Sequence, residues 1–219
     1  MTKINVANGF DWLKGLLFLL LFSMSSLVDA GVAQFPQPAT LELLETGEVS
    51  VETIRSDESG GAGRFAILIK APVEAIWDVI YSCEKAKIFV NGLKLCDVLE
   101  DDGIRTLTHQ VVKTSWLVPT QDFIVQTLRE PFGRAEFKRI SGKPKLMEGS
   151  WDFHSTSQGV VAVHELRVQP SVPVPRFIVR HLMSKSMPEM LACIRGLAGG
   201  SLSGDSQSLD LASCPGLQK

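Results

Sequence analysis

Residues 48–70 and 93–168 alternate apolar and polar positions over short runs broken by turn residues, whereas residues 73–80 and 175–198 repeat apolar residues three and four apart. The first pattern predicts strands and the second predicts helices. Runs 48–55 and 64–70, the latter with Phe65, Ile67 and Ile69 on one side, read as a hairpin across the Gly-rich stretch 58–63. Pro72 then opens a helix at a position where its missing N–H costs nothing, and Val73, Ile76, Trp77 and Ile80 gather on one face of it. A short second helix is predicted over 84–90, stopped by Asn91-Gly92. Strands follow at 93–99, 104–116, 122–129, 135–140, 147–154 and 160–168. The breaks contain Gly103, Pro119, Pro131-Phe132-Gly133, Gly142-Lys143-Pro144 and Gly159, where Gly admits positive φ and Pro fixes φ while removing a donor. Such a meander is antiparallel throughout. The last helix, 175–198, carries a stripe of Met183, Met187, Met190, Leu191, Ile194 and Ala198, with Phe177, Ile178 and Leu182 on an adjoining face. Pro188, together with the S-x-x-E box of Ser186 and Glu189, predicts a kink or a restart there.

The start of the chain has a different character. Lys3 and Lys14 precede the apolar block 16–22, which extends through serines to small residues around Ala30 and Ala33, the order of an export signal over residues 1–33. From 16 to 28 the stretch is shorter than the roughly 20 residues of a spanning helix, which favours cleavage after Ala30 or Ala33 over retention as an anchor. Residues 34–46 read as a Pro-containing linker with one helical turn, 47–199 as one domain, and 200–219 as a polar, flexible tail tethered through Cys214. The expected location is periplasmic or secreted.

Among 219 residues, 45% are apolar, which is ordinary for a globular domain. Lys plus Arg number 22 against 24 Asp plus Glu, a net charge of −2 with no clustered basic face, so nucleic acid is excluded as a partner. Cys83, Cys96, Cys193 and Cys214 are even in number and lie beyond the leader, which in an oxidising compartment predicts disulfides. Of three connectivities, Cys83 with Cys96 and Cys193 with Cys214 close the short local loops. Their spacing matches no compact zinc set and the His residues are scattered, so no metal is expected. In a reducing cytoplasm the same residues would be buried thiols.

Several short motifs follow this order of elements. Ala71-Pro72 before Ile76-Trp77, the segment from Phe89 to Cys96, Pro119 with Asp122-Phe123, and Leu146, Gly149, Trp151 and Phe153 in one late run resemble the START-like superfamily of polyketide cyclase/dehydrase and coenzyme Q-binding proteins. Val172, Val174 and Pro175 before the closing helix, and Met187-Pro188 with Ile194-Arg195 inside it, extend the likeness. One departure is Gln121, where many relatives carry Arg, so no role of that Arg transfers.

The resemblance implies an α+β helix-grip fold, a curved antiparallel sheet wrapped around a long C-terminal helix, with an apolar cavity between them. Its expected lining is Trp116, Phe123, Val125, Trp151, Phe153 and His164 from strands, and Met183, Met187, Met190 and Leu191 from the helix; the alternative is that these fill an ordinary core. The function implied is binding, transport or shielding of a lipid, quinone or similar molecule by a monomer that needs no cofactor and contacts membranes transiently. A cyclase/dehydrase-like enzyme using His164, or an interaction module without ligand, are the alternatives. No G-x-S-x-G, H-E-x-x-H, P-loop or G-x-G-x-x-G run is present to anchor catalysis.

Overall fold

The computed structural model describes residues 38–114, 116–199 and 214–217; the predicted export signal lies outside them. Helix α1 (Pro38–Glu45) leads into β1 (Ser50–Asp57) and β2 (Gly60–Ile69), then α2 (Val73–Tyr81) and α3 (Cys83–Phe89). Six strands follow: β3 (Leu93–Asp101), β4 (Arg105–Val112), β5 (Gln121–Glu130), β6 (Arg134–Gly142), β7 (Leu146–Thr156) and β8 (Gly159–Gln169). The chain closes with α4 (Arg176–His181), a wide π-type turn (Leu182–Ser186) and α5 (Met187–Leu197). The sheet has eight strands in the order β1-β2-β8-β7-β6-β5-β4-β3, every neighbour antiparallel.

Residues directly opposite in an antiparallel ladder share a face. Phe65, His164, Trp151 and Ala135 form one such row, and Leu166, Gly149, Phe137 and Thr127 form the next. This face meets the closing helix: Phe65, Ile67, Trp151, Phe153, Met183, Met190, Leu191 and Ile194 belong to one buried cluster. The Met stripe read from the sequence is the buried side of that helix.

On the other face Leu44 of α1 packs on Ala66, Leu68, Val161 and Val163. Residues 38–45 are therefore a covering helix, not a linker: β2 and β8 are apolar on both sides, and their outer side needs a lid. The turn of the first hairpin is also shorter than expected, because Gly60 to Gly63 continue β2. A side chain at Gly61 would meet Met183 Cε at 2.5 Å, so glycine is what lets the closing helix approach.

The closing helix passes Pro188 through a wide turn, without the side-chain cap that the S-x-x-E box predicts. Ser186 makes no side-chain cap; the turn before Pro188 widens instead, and the Met187 N–H reaches the Leu182 carbonyl. Proline has no N–H for a regular bond, and the wide turn absorbs that loss.

Two disulfides, Cys83 to Cys96 and Cys193 to Cys214, have the expected pairing. The first joins α3 to β3. The second fixes the end of the chain, where the Gly216 N–H donates to the Ile88 carbonyl at 2.9 Å beside α3.

Gly149 sits where β7 passes between Glu165 and Phe137. A Cβ there would stand 2.0 Å from the Glu165 carbonyl oxygen and 2.6 Å from Phe137 Cζ. Gly149→Ala is thus expected to cost about 1–3 kcal/mol by forcing β7 from β8 or displacing Phe137, a loss read by urea denaturation. Unchanged stability would mean that Phe137 does not lie across this strand.

Candidate functional site

The strands end in two distinct ways around the closing helix. At the end bearing turns 102–104 and 131–133, α2 closes the interior: the Trp77 ring lies 5.6 Å from both Phe132 and Phe153, and 4.6 Å from Tyr81. The Tyr81 hydroxyl is buried without a hydrogen-bond partner, and burial raises its pKa against the opposing charge of Arg129. Arg129 stacks over the Tyr81 ring at 5.8 Å and is ion-paired with Asp101.

His164 marks the next level. Its imidazole centroid is 4.1 Å from Trp151, 5.8 Å from Phe137 and 6.3 Å from Phe65, with interplanar angles of 22–29°. Nδ1 lies 3.1 Å from the Ser150 carbonyl. A carbonyl only accepts, so Nδ1 carries the proton and Nε2 is left as an acceptor. Burial in this aromatic stack pushes the pKa down to about 4, partly opposed by the carbonyl bond. The imidazole is therefore neutral at physiological pH.

Towards the other end, the same face becomes less buried. Phe137, Leu166, Val168, Leu182 and Met187 pack against the cluster but are only partly covered. Thr108 and Gln110 of β4, opposite the buried Val125 and Phe123 of β5, are half-buried too, as are Thr127 and Arg139. These side chains are turned by register towards the helix face and are incompletely covered, while Phe123 and Val125 between them are buried.

The expected lining thus separates into groups. Trp151, Phe153, His164, Met190 and Leu191 are packed core, and so is Met183, which lies at the level of Gly61 and Val168. Phe123 and Val125 are buried on the same sheet face. Met187 is half-buried against the core cluster. Trp116 is a correction: β4 ends at Val112, and Trp116 stands 85% exposed on the loop to β5, outside the interior. Phe137, Leu166, Thr108, Gln110 and Arg139 lie on the same sheet face and were not among the expected lining; their one sequence signal was strand parity.

A depression of about 300 Å³ lies mostly on the opposite face, among Gln126, Leu128, Arg134, Glu136, Lys138, Glu148, Ser150 and Glu165, with Phe137 and Gly149 also lining it. Arg134 pairs there with Glu136 and Asp152, and Arg64 with Glu165 at 3.4 Å. It is a solvated lattice of ion pairs, unlike an apolar ligand pocket. Among the described residues no group of three or more His, Cys, Asp or Glu is placed to hold a metal ion, and no helix is long and apolar enough to cross a membrane.

A sequence model of the family described as polyketide cyclase / dehydrase and lipid transport matches residues 69–195. The fold is similar to that of the STAR-related lipid transfer protein from Xanthomonas axonopodis, at 13% identity and a TM-score of 0.57 over 69% of this chain and 93% of that one. It is equally similar to human STARD10, at 13% identity and a TM-score of 0.57 over 75% and 80% of the two chains. TTHA0849 from Thermus thermophilus is 22% identical, with a TM-score of 0.50 over 62% and 93%. At such identities the structural likeness establishes the fold. No curated protein sequence matches the chain.

Proposed function

The chain belongs to the polyketide cyclase/dehydrase and lipid transport family and has its START-like helix-grip fold, and from that premise we propose that it binds a hydrophobic small molecule, a lipid, quinone or similar compound, and carries or shields it in an aqueous compartment outside the cytoplasm. The observation that carries this reading is the row of half-buried side chains on the helix-facing side of β4–β8, with Phe137, Leu166 and Val168 as its apolar part. A molecule that hides a few hundred Å² of apolar surface there gains several kcal/mol, at about 25 cal/mol per Å², before the entropy of association is charged against it. The two disulfides fit an exported protein, with residues 1–33 as its signal peptide. Trp116 and Leu117, both exposed on the loop at the open end, fit transient contact with a membrane during ligand exchange by a monomer.

The same family description covers catalysis, and an enzyme would need His164 to meet its substrate. The burial of His164 among Trp151, Phe137 and Phe65 favours a packing role, and binding over turnover.

Protein purified after export is expected to release an apolar compound into organic solvent, detectable by mass spectrometry. A panel of lipids and quinones is expected to raise the melting temperature of the extracted protein. An empty extract with no thermal shift across the panel would count decisively against this function.

A further inference from the structure

Among the described residues, Arg139 is the arginine that the ion-pair network of this sheet leaves out. It lies opposite Val125 in the β5–β6 ladder, and Val125 is opposite Thr108, which puts Arg139 and Thr108 on the face that looks towards the closing helix. Its Nη1 donates to the Gly142 carbonyl at 3.1 Å and its Nη2 to the Lys145 carbonyl at 2.8 Å. Its Nε is buried without a hydrogen-bond partner, and among the described residues no carboxylate lies within 4.0 Å of the guanidinium. Arg134, Arg129, Arg167 and Arg105 each have a carboxylate. A half-buried guanidinium has five N–H donors, of which two carbonyls engage two, and its charge stays uncompensated.

The surroundings carry the same sign. The strand ends and turns at this end of β3–β7 hold Lys94, Lys113, Lys143 and Lys145 against two carboxylates, Asp122, which lies 2.9 Å from His109, and Glu148, which pairs with Arg167 at 3.4 Å. The closed end holds Glu100, Asp101, Asp102 and Glu130 beside Arg105, Arg129 and Arg134, so its charges nearly balance. Such an asymmetry draws anions to the open end.

Resting on the ligand-binding reading above, we propose that Arg139 is the anion-recognition residue of the ligand space, so that the molecule held there is an amphiphile with a carboxylate or phosphate-ester head. The planar guanidinium fork suits both heads. The apolar part of the molecule then lies over Phe137 and Leu166, and Thr108 and Gln110 offer hydrogen bonds beside the head.

The test is a binding comparison of dodecanoate, dodecyl phosphate and dodecanol, which share a chain and differ in the head. At neutral pH the wild-type protein is expected to bind one or both anions at least about tenfold more tightly than the alcohol, with the stronger anion distinguishing carboxylate from phosphate. Arg139→Gln is expected to lose that preference while still binding dodecanol, and Arg139→Lys to restore much of it. Independently of how the Gln variant folds, the Nε–H resonance of Arg139, assigned by its loss in Arg139→Lys, should shift on addition of the preferred anion to wild-type protein and stay in place with dodecanol. Equal binding of anion and alcohol, a preference retained in a folded Arg139→Gln, or a silent Nε–H resonance would overturn the role of Arg139 and leave hydrophobic binding standing. If none of the three amphiphiles binds, and the lipid and quinone panel is silent as well, both proposals fall together.

Discussion

Trp151→Ala is expected to lower the stability of the domain by about 3–5 kcal/mol, the usual loss when a large buried aromatic is truncated in a core that collapses only partly. The indole lies 4.1 Å from the His164 ring and 6.2 Å from Phe153, and β7 is held on both sides by β6 and β8. Neighbours fixed in a ladder cannot move into the vacated volume. Two further readouts follow from the geometry. With one face of its stack gone, His164 becomes accessible to water and its pKa should climb from about 4 towards the ordinary 6.5, visible in an NMR titration of the imidazole. Trp151→Phe keeps most of the packing and should lose much less. A loss below about 1 kcal/mol for Trp151→Ala would mean that this end of the interior is already open, contrary to the burial of Trp151 and Phe153.

Acidification should weaken the fold through His164. Its pKa of about 4 in the native state lies below the ordinary value of 6.5 that it regains on unfolding. Above pH 6.5 it is neutral in both states and contributes nothing to pH dependence. As the pH falls through that value the unfolded chain takes up a proton that the buried imidazole refuses, so stability drops until the native state is protonated as well near pH 4. A window of about 2.5 units at 1.36 kcal/mol each gives a loss of about 3 kcal/mol. Carboxylates titrate in the lower part of the window, so the measurement is a difference: urea midpoints of wild type and His164→Gln at several pH values between 7 and 4. The variant should show the shallower decline. Parallel curves would place the acid sensitivity elsewhere.

On β4 the side of the strand that faces the helix is its polar side. In β4 the apolar Leu107 and Val111 face away from the helix, while Thr106, Thr108 and Gln110 face towards it. The facing of Thr108 and Gln110 is read from their ladder partners Val125 and Phe123, and that of Arg139 from Val125, rather than from hydropathy along one strand. The covering role of α1 had a usable signal that the linker reading passed over. Ala66 and Leu68 of β2, and Val161 and Val163 of β8, are apolar on the side opposite Phe65 and Ile67, and a sheet apolar on both faces must be covered on both.

The amino-acid order by itself determined the succession of strands and helices, the buried stripe of the closing helix and the antiparallel meander, and favoured the local pairing of the four cysteines. All of these arise from contacts between residues near in sequence or from periodicities of 2 and 3.6 that the backbone imposes. What waited for the tertiary structure was the level along the sheet at which side chains close the interior, the exposure of Trp116, and the arginine left without a carboxylate. These depend on which strands become neighbours and how far the closing helix comes down on them, and no periodicity along a single strand encodes a distance across eight.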